Sequence, residues 1–393
     1  MKVKLGDLIE EYSERNIDNK YKPVAVGKYG IRARESIYSK ELAKDYSKNK
    51  LIYKGTLTIG MGSNQIDIGI LRDDEIYSVS PAYHTYNIKI SNYDYLDYLL
   101  TANNNRMFSI YANRGSRQGK TLDLKRWLTD ELRLHDEKDQ KIIVQTLNAV
   151  KQLISQKEAE LVKLDNLIKA RFVEMFGAPG TNPKGWNEIK LGEVCSLQNG
   201  YAFKSSDYIN KSDVLNCRMS NIRPDGGFDA EYHPKYLPEE YWDKLSGYRL
   251  FDGDVIIAMT DMASDPKILG VPTIVSTNGK KFLLNQRVGK LSSLHDDRMN
   301  RVYLMHSLGQ KYIRKELAKS AAGSTQINVG KPAILNINIY EPPRSLQDQF
   351  ATFVARVDKS KFVLSNELTM CDFYIRLIHN RVMHSRINLR VAQ

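Results

Sequence analysis

Glu137–Phe176 reads EKDQKIIVQTLNAVKQLISQKEAELVKLDNLIKARFVEMF, forty residues without a proline or a glycine. Along it Ile143, Leu147, Val150, Ile154, Lys157, Leu161, Leu164, Ile168, Arg171 and Met175 fall alternately four and three apart. Eight of these ten are apolar, which is the heptad seam of a helix that packs on another helix. At ~1.5 Å per residue such a helix spans ~60 Å. Gly177-Ala178-Pro179-Gly180 then supplies a stop. A second stretch, 345–385, repeats the pattern with Phe350, Val354, Val357, Lys361, Leu364, Leu368, Cys371, Ile375, Ile378 and Val382. Counting cysteine as a small apolar residue, nine of ten are apolar. One such helix cannot bury its own seam, whereas two in one chain can bury each other. Separate helical hairpins, or helices that dimerise with another chain, are the alternatives.

Working outward from these helices, the chain repeats itself. Leu5-Gly6-Asp7-Leu8 returns as Leu191-Gly192-Glu193-Val194, an offset of 191 − 5 = 186. Gly115-Ser116-x-Gln118 returns as Gly323-Ser324-x-Gln326, an offset of 323 − 115 = 208. Asp139-Gln140 returns as Asp348-Gln349, an offset of 348 − 139 = 209, while the seams match at 350 − 143 = 207. Each match is short, but their common order marks an internal repeat with extra loop residues early in the second copy. The layout is a first globular domain over 1–136, a helix over 137–176, a linker over 177–184, a second globular domain over 185–344, a helix over 345–385 and a tail over 386–393.

Strand-like runs appear at Leu51–Tyr53 and Leu57–Ile59, followed by a turn at Gly60-Met61-Gly62. Others appear at Asp254–Met259, Pro272–Val275 and Ile337–Tyr340, and one helix is expected over Arg298–Lys319. Both domains are therefore α+β, in tandem, separated by two long helices.

The chain has 393 residues and a net charge of +12, with 42% hydrophobic residues. Two or three packed domains and a polyanionic partner follow, nucleic acid ahead of an anionic membrane surface. Cys195, Cys217 and Cys371 are far apart, so neither a disulfide framework nor a zinc site is expected, and a reducing compartment fits. The opening residues turn acidic before any signal-like core, and no run approaches the ~20 apolar residues of a membrane span. A soluble, cytoplasmic protein is expected.

Catalytic signatures are missing. An adenine methyltransferase needs an Asn- or Asp-Pro-Pro-aromatic turn to accept hydrogen bonds from the target amine. The only Pro-Pro here is Glu341-Pro342-Pro343-Arg344. A glycine-rich loop for S-adenosylmethionine is also absent. Gly115-Ser116-Arg117-Gln118-Gly119-Lys120-Thr121 has three residues between its glycines where a phosphate-cradling loop needs four. Pro224-Asp225 is the only Pro-Asp, and no Asp/Glu-x-Lys of a Mg²⁺-holding nuclease site follows it before residue 260. The seven histidines show no metal-ligand spacing, and His379 and His384 read as solvated residues of a charged helix end. No catalytic residue and no metal site is assigned.

Residues suited to DNA are present instead. Arg114, Arg117, Gln118 and Lys120 sit in a glycine-rich loop whose backbone N–H groups can approach phosphates. Its repeat carries Ser324, Thr325, Gln326, Asn328 and Lys331. Arg, Gln and Asn can make paired contacts to base edges, and Ser, Thr and Lys suit phosphates. Further candidates are Lys28, Arg32 and Arg34 in the first half, and Tyr201, Lys204, Ser205, Arg218, Asn221, Arg223, Lys267 and Arg287 in the second. A solvated surface position is the competing reading for each.

The pattern resembles the specificity subunit of type I restriction-modification enzymes. The resemblance is carried by Leu191-Gly192-Glu193-Val194, the segment from Asn199 to Tyr208 (NGYAFKSSDY), Leu284–Leu291 (LNQRVGKL), the Gly323 loop, Glu341-Pro342-Pro343 and Asp348-Gln349. The first half matches mainly at Leu5-Gly6-Asp7, Val79–Tyr83, the Gly115 loop and its helix. It implies two target recognition domains that each bind half of a split DNA site. It implies long helices packed as an antiparallel coiled coil that spaces these domains and docks two methyltransferase subunits. Those subunits bring S-adenosylmethionine, with motor-nuclease subunits joining for cleavage, so this chain itself needs no cofactor. The half-sites would lie about one DNA turn apart, ~34 Å. Because the two domains share little beyond the landmarks, an asymmetric site is expected. The alternatives are a partner-independent DNA-binding scaffold or regulator, the recognition part of another multi-subunit DNA methyltransferase, or a fused methyltransferase-nuclease, which the missing motifs disfavour.

Overall fold

The computed structural model describes residues 1–34, 45–114 and 120–384. The chain forms two compact units. Unit 1 joins Met1–Ala159 to the residues from Leu364 onward, and unit 2 is the continuous stretch Glu160–Val363.

In unit 1 the strands Ile9–Tyr12, His84–Ile88, Thr56–Met61 and Ile66–Ile70 form an antiparallel sheet in that order. A second sheet runs Gly30–Ala33, Pro23–Gly27, Tyr77–Val79, Lys50–Ile52, with the middle pair parallel. The helix Tyr93–Tyr111 covers the first sheet and places Tyr95, Leu96, Leu99, Leu100 and Met107 in the core with Leu57, Ile59 and Ile66. Fully burying side chains of this size contributes roughly 1.5–3 kcal/mol each.

Unit 2 repeats the plan. Ser196–Asn199, Val288–Ser292, Val255–Ala258 and Pro272–Ile274 form an antiparallel sheet. Tyr236–Leu237, Val214–Cys217, Lys281–Leu284 and Arg249–Leu250 form the second, again with its middle pair parallel.

The landmark Leu-Gly-acid motif does the same work in both. Leu5 N–H donates to Asp130 O and Leu191 N–H to Ile337 O, both at 2.9 Å, and both leucines are fully buried. Asp7 and Glu193 fold back to accept from the amides of Lys4 and Lys190. A Cβ on Gly6 would lie 3.2 Å from Leu128 O, and one on Gly192 would lie 3.3 Å from Leu335 O. Leu128 and Leu335 are 335 − 128 = 207 apart, as are Asp130 and Ile337, so 207 is the structural offset of the later part of the repeat. The offset of 209 drawn from the two Asp-Gln pairs is therefore a misalignment. The counterpart of Gln140 is Gln347. Each is buried beside the start of its long helix, and each donates Nε2–H to a carbonyl five residues back, His135 O at 2.9 Å and Pro342 O at 2.8 Å.

The long helices run over Glu137–Phe176 and Arg344–His384. In unit 1, Ile143 and Leu147 lie in the core cluster against which Ile375 and Ile378 pack. Val150 and Ile154 are half-buried, Cys371 is buried, and Lys157 reaches Glu367 on the other helix at 2.8 Å. In unit 2, Ile168, Phe172, Met175 and Phe176 share a cluster with Phe350, Val354 and Val357, with Leu164 at its margin. Lys361 reaches Asp165 at 2.7 Å, and Arg171 lies 5.8 Å from the Phe353 ring. Residue numbers rise along one helix as they fall along the other, so the pair is antiparallel. Leu161, Leu364 and Leu368 are half-buried between exposed neighbours, as seam positions of a two-helix coil should be. No helix among the described residues is long and apolar enough to cross a membrane.

Three expectations need correction. The helix expected over Arg298–Lys319 is two, Arg301–Leu308 and Lys311–Lys319. Asn300 caps the first by accepting from Val302 and Tyr303, and Gly309 ends it, so the apolar periodicity hid a break. The turn expected at Gly60 comes later, because the strand continues through Met61. His379 is not a solvated residue: its Nε2 is buried, and burial pushes its pKa down.

Candidate nucleic-acid interface

In unit 2 a network of backbone bonds gathers candidate residues at the ends of the two sheets. The turn Asn285–Val288 joins Lys281–Leu284 to Val288–Ser292 and is closed by Val288 N–H donating to Asn285 O at 2.9 Å. Asn285 is buried, and its Oδ1 accepts from the amide of Arg287 at 3.1 Å. Gln286 N–H donates to Tyr201 O at 2.9 Å, and Tyr201 N–H to Leu284 O at 2.8 Å. Gly200 permits this approach, since a Cβ there would sit 2.2 Å from both C and O of Asn285. Tyr201 packs on Phe203 and Tyr248, with ring centroids 5.0 and 5.5 Å away, and keeps an exposed edge.

On the other side of the turn, Met259 N–H donates to Arg287 O at 3.0 Å and Met259 O accepts from Val329 at 2.9 Å. Thr260–Met262 then pairs with Gln326–Asn328, at the base of the Gly323 loop. Asp261, which the sequence reading passed over, organises this corner. It is buried, its Oδ2 accepts from Ile268 at 2.5 Å and Leu269 at 2.8 Å, and its Oδ1 accepts from Met262 at 2.7 Å. An aspartate inside a short strand with a loop after it was the available signal.

The structure thus brings Tyr201, Arg287, Gln326, Asn328 and the Gly323 loop into one neighbourhood. Ser324, Thr325 and Lys331 are exposed on and just beyond that loop, while Asn328 Oδ1 is taken by Thr260 at 2.6 Å. Lys204 and Ser205 are exposed on the segment that follows Tyr201.

Other candidates are engaged elsewhere. Asn221 is buried, with its amide bonded to Arg218 N and Asp229 O. Arg218 donates to His233 O at 2.9 Å. Arg223 is paired with Asp229 and lies 4.3 Å from the Tyr232 ring. The amide of Glu231, together with this guanidinium, holds the Asp229 carboxyl below its usual pKa. Lys267 pairs with Asp265 at 3.1 Å, both ends exposed.

In unit 1, Lys28 and Tyr29 form the tip of the hairpin Pro23–Gly27/Gly30–Ala33. Tyr29 is 70% exposed, with Lys28 and Arg32 5.6 and 5.2 Å from its ring centroid. Arg34 lies 5.6 Å from the Tyr46 ring. The hairpin borders an open cleft of about 920 Å³ that also meets Arg72, Tyr98 and Lys151. Arg72 is held there by Asp94 and Asp97, at 2.8 and 2.6 Å. Arg114 and Lys120 are backbone register partners in the hairpin Ala112–Arg114/Lys120–Leu122. Arg117 and Gln118 lie outside the described residues. Among the described residues no cluster of His, Cys, Asp or Glu is arranged to hold a metal ion.

Comparison with known proteins adds to this geometry. Residues 183–369 match the family model described as type I restriction modification DNA specificity domain. The chain is similar to the type I restriction enzyme MjaVIII specificity subunit of Methanocaldococcus jannaschii, 26% identical over 214 residues, covering 54% of this chain and 48% of that one. It is also similar to the EcoBI specificity subunit of Escherichia coli, 25% identical over 187 residues, covering 45% of this chain and 34% of that one. The matched stretch thus spans about half or less of these relatives. Two solved structures share the fold over nearly the whole chain. An S subunit of a type I restriction-modification system from M. genitalium aligns with a TM-score of 0.53 at 12% identity, over 98% of this chain and 96% of that one. A chain from a structural study of type I R-M complex assembly aligns with a TM-score of 0.55 at 15% identity, over 97% of each.

Proposed function

We propose that this chain is the sequence-reading subunit of a type I restriction-modification system, a reading supported by the match of residues 183–369 to the family model described as type I restriction modification DNA specificity domain. It reads a split, asymmetric DNA site with one half-site per globular domain, and it carries out no bond-breaking step itself. Two methyltransferase subunits, carrying S-adenosylmethionine and modifying adenine N6, dock on it, and motor-nuclease subunits join for cleavage.

The observation that carries this reading is the duplicated domain plan with divergent exposed loops. The shared landmarks are buried and structural, whereas the exposed residues differ between copies: Lys28, Tyr29 and Arg32 in one, Tyr201, Arg287 and the Gly323 loop in the other. Two similar frames presenting different donors suit two different half-sites. Docking is supported by the second long helix, on which Phe362, Val363, Met370, Phe373 and Tyr374 are all more than half exposed. A soluble chain rarely leaves so many large apolar groups uncovered on one helix. The chain without partners is therefore expected to bind DNA weakly or to aggregate.

The test is a genome-wide map of N6-methyladenine with and without this gene, with the methyltransferase partner expressed. Loss of one split, asymmetric motif is expected. An unchanged methylome defeats the proposal, as does tight sequence-specific binding by the lone chain.

A further inference from the structure

We infer that Arg287 is the residue through which the second domain distinguishes a guanine in its half-site, and that the matching turn of the first domain has no counterpart to it. The inference rests on the function proposed above and names one of its specificity determinants.

Residues 185–343 contain seven arginines: 218, 223, 249, 287, 298, 301 and 314. Six have their guanidinium engaged within the unit. Arg218 bonds His233 O, Arg223 pairs with Asp229, Arg249 with Asp243, Arg298 with Glu341 and Arg301 with Asp296, and Arg314 donates to Leu269 O. Arg287 is exposed, and its side chain has no partner among the described residues. Its backbone, by contrast, is held on both sides. Its N–H donates to Asn285 Oδ1 and its carbonyl accepts from Met259, while the preceding amide of Gln286 is tied to Tyr201 O. A free planar fork on a fixed turn suits recognition of guanine O6 and N7 by two parallel N–H donors. Phosphate contacts need only a point charge, and Lys204 and Lys331 are exposed on flanking segments to supply them.

Unit 1 builds the same turn with different side chains. Ser80-Pro81-Ala82-Tyr83 joins Tyr77–Val79 to His84–Ile88, and Tyr83 N–H donates to Ser80 O at 3.0 Å as Val288 does to Asn285 O. Ser80 Oγ accepts from Ala82 N–H at 3.5 Å, the place taken by Asn285 Oδ1 and Arg287 N–H in unit 2. The exposed positions there are Pro81 and Ala82, which offer no side-chain donor to a base edge. One frame is kept, and the reading side chain is present in one copy only.

The test uses the full chain assembled with its methyltransferase partner. Adenine methylation is mapped in cells carrying the wild-type chain, Arg287→Ala or Arg287→Lys. Both variants are expected to relax one G·C position in one half-site and leave the other half-site unchanged. In parallel, the wild-type complex is bound to duplexes with 7-deazaguanine at each half-site guanine in turn. One position is expected to weaken binding about ten- to a hundredfold. A wild-type split motif that both variants leave unchanged, whether at full or uniformly reduced methylation, overturns the role of Arg287 alone. So does a wild-type complex indifferent to 7-deazaguanine everywhere. A wild-type strain with no split motif defeats the functional reading beneath it as well.

Discussion

Gln347→Ala should open the junction between the second globular domain and its long helix. Gln347 is fully buried and makes three hydrogen bonds: Nε2–H donates to Arg298 O at 3.0 Å and to Pro342 O at 2.8 Å, and Oε1 accepts from Asn300 N–H at 2.8 Å. Alanine leaves all three backbone groups without that partner. At ~1 kcal/mol per bond, with a further cost for each polar group left unsatisfied away from water, the loss is about 3–5 kcal/mol. The repeat supplies an internal control. Gln140 is 6% exposed and makes one such bond, to His135 O at 2.9 Å, so Gln140→Ala should cost about 1–2 kcal/mol. Hydrogen exchange followed by mass spectrometry on the full chain resolves the two places. The amides of Asn338–Glu341 report on one, and those of Glu131–Arg133 on the other. Equal losses at both, or a loss under ~1 kcal/mol for Gln347→Ala, would refute the claim that this glutamine organises the junction.

Gly200→Ala forces a Cβ to 2.2 Å from the backbone of Asn285. It should destabilise unit 2 by about 2–4 kcal/mol and weaken binding of the assembled complex to DNA; a variant as stable and active as wild type contradicts the close approach. His306 has its pKa pushed down to about 4, mainly by burial and secondarily by the charge of Lys361. The unfolded chain takes up this proton near pH ~6.5 and the folded one resists it, so stability is full above that pH and falls as acid is added, by about 2 kcal/mol at pH 5. Denaturant melts at pH 7 and pH 5 should show that slope in the wild type and a shallower one in His306→Gln; identical slopes count against it. Lys361→Leu exchanges a half-exposed ion pair, worth ~1 kcal/mol or less, for an apolar seam residue. The melting temperature should hold or rise by a few degrees, and a loss above ~1 kcal/mol would show that the pair matters more than its exposure suggests.

Much of the fold could be read from spacing alone. The four-three alternation placed both helices, and every described seam position is buried or half-buried, because a two-helix coil has one way to hide such a stripe. The globular parts were harder. Their strands are two to six residues long where periodicity is weakest, and Gly309 interrupts a run that reads as one helix. The candidate interface was legible as a set of residue types but not as a set of roles. Arg223 and Arg287 look alike in sequence. What separates them is Asp229, which sits on a returning loop beside the first, whereas among the described residues no carboxylate pairs with the second. Asp261 and Asn285 were missed because they act on backbone amides, and that role carries no motif.

The division of the two long helices between the units bears on the order in which the protein can be completed. Unit 2 is one uninterrupted stretch, whereas the core of unit 1 takes in Ile375 and Ile378, more than two hundred residues beyond the rest of that unit. During synthesis from the N-terminus, the domain made first waits for the last helix to leave the ribosome. The domain made second has all its parts beforehand. The earlier-born half is therefore the later to mature. Until then, the seam around Ile143 and Leu147 is a sticky surface that a ribosome-bound chain must carry uncovered.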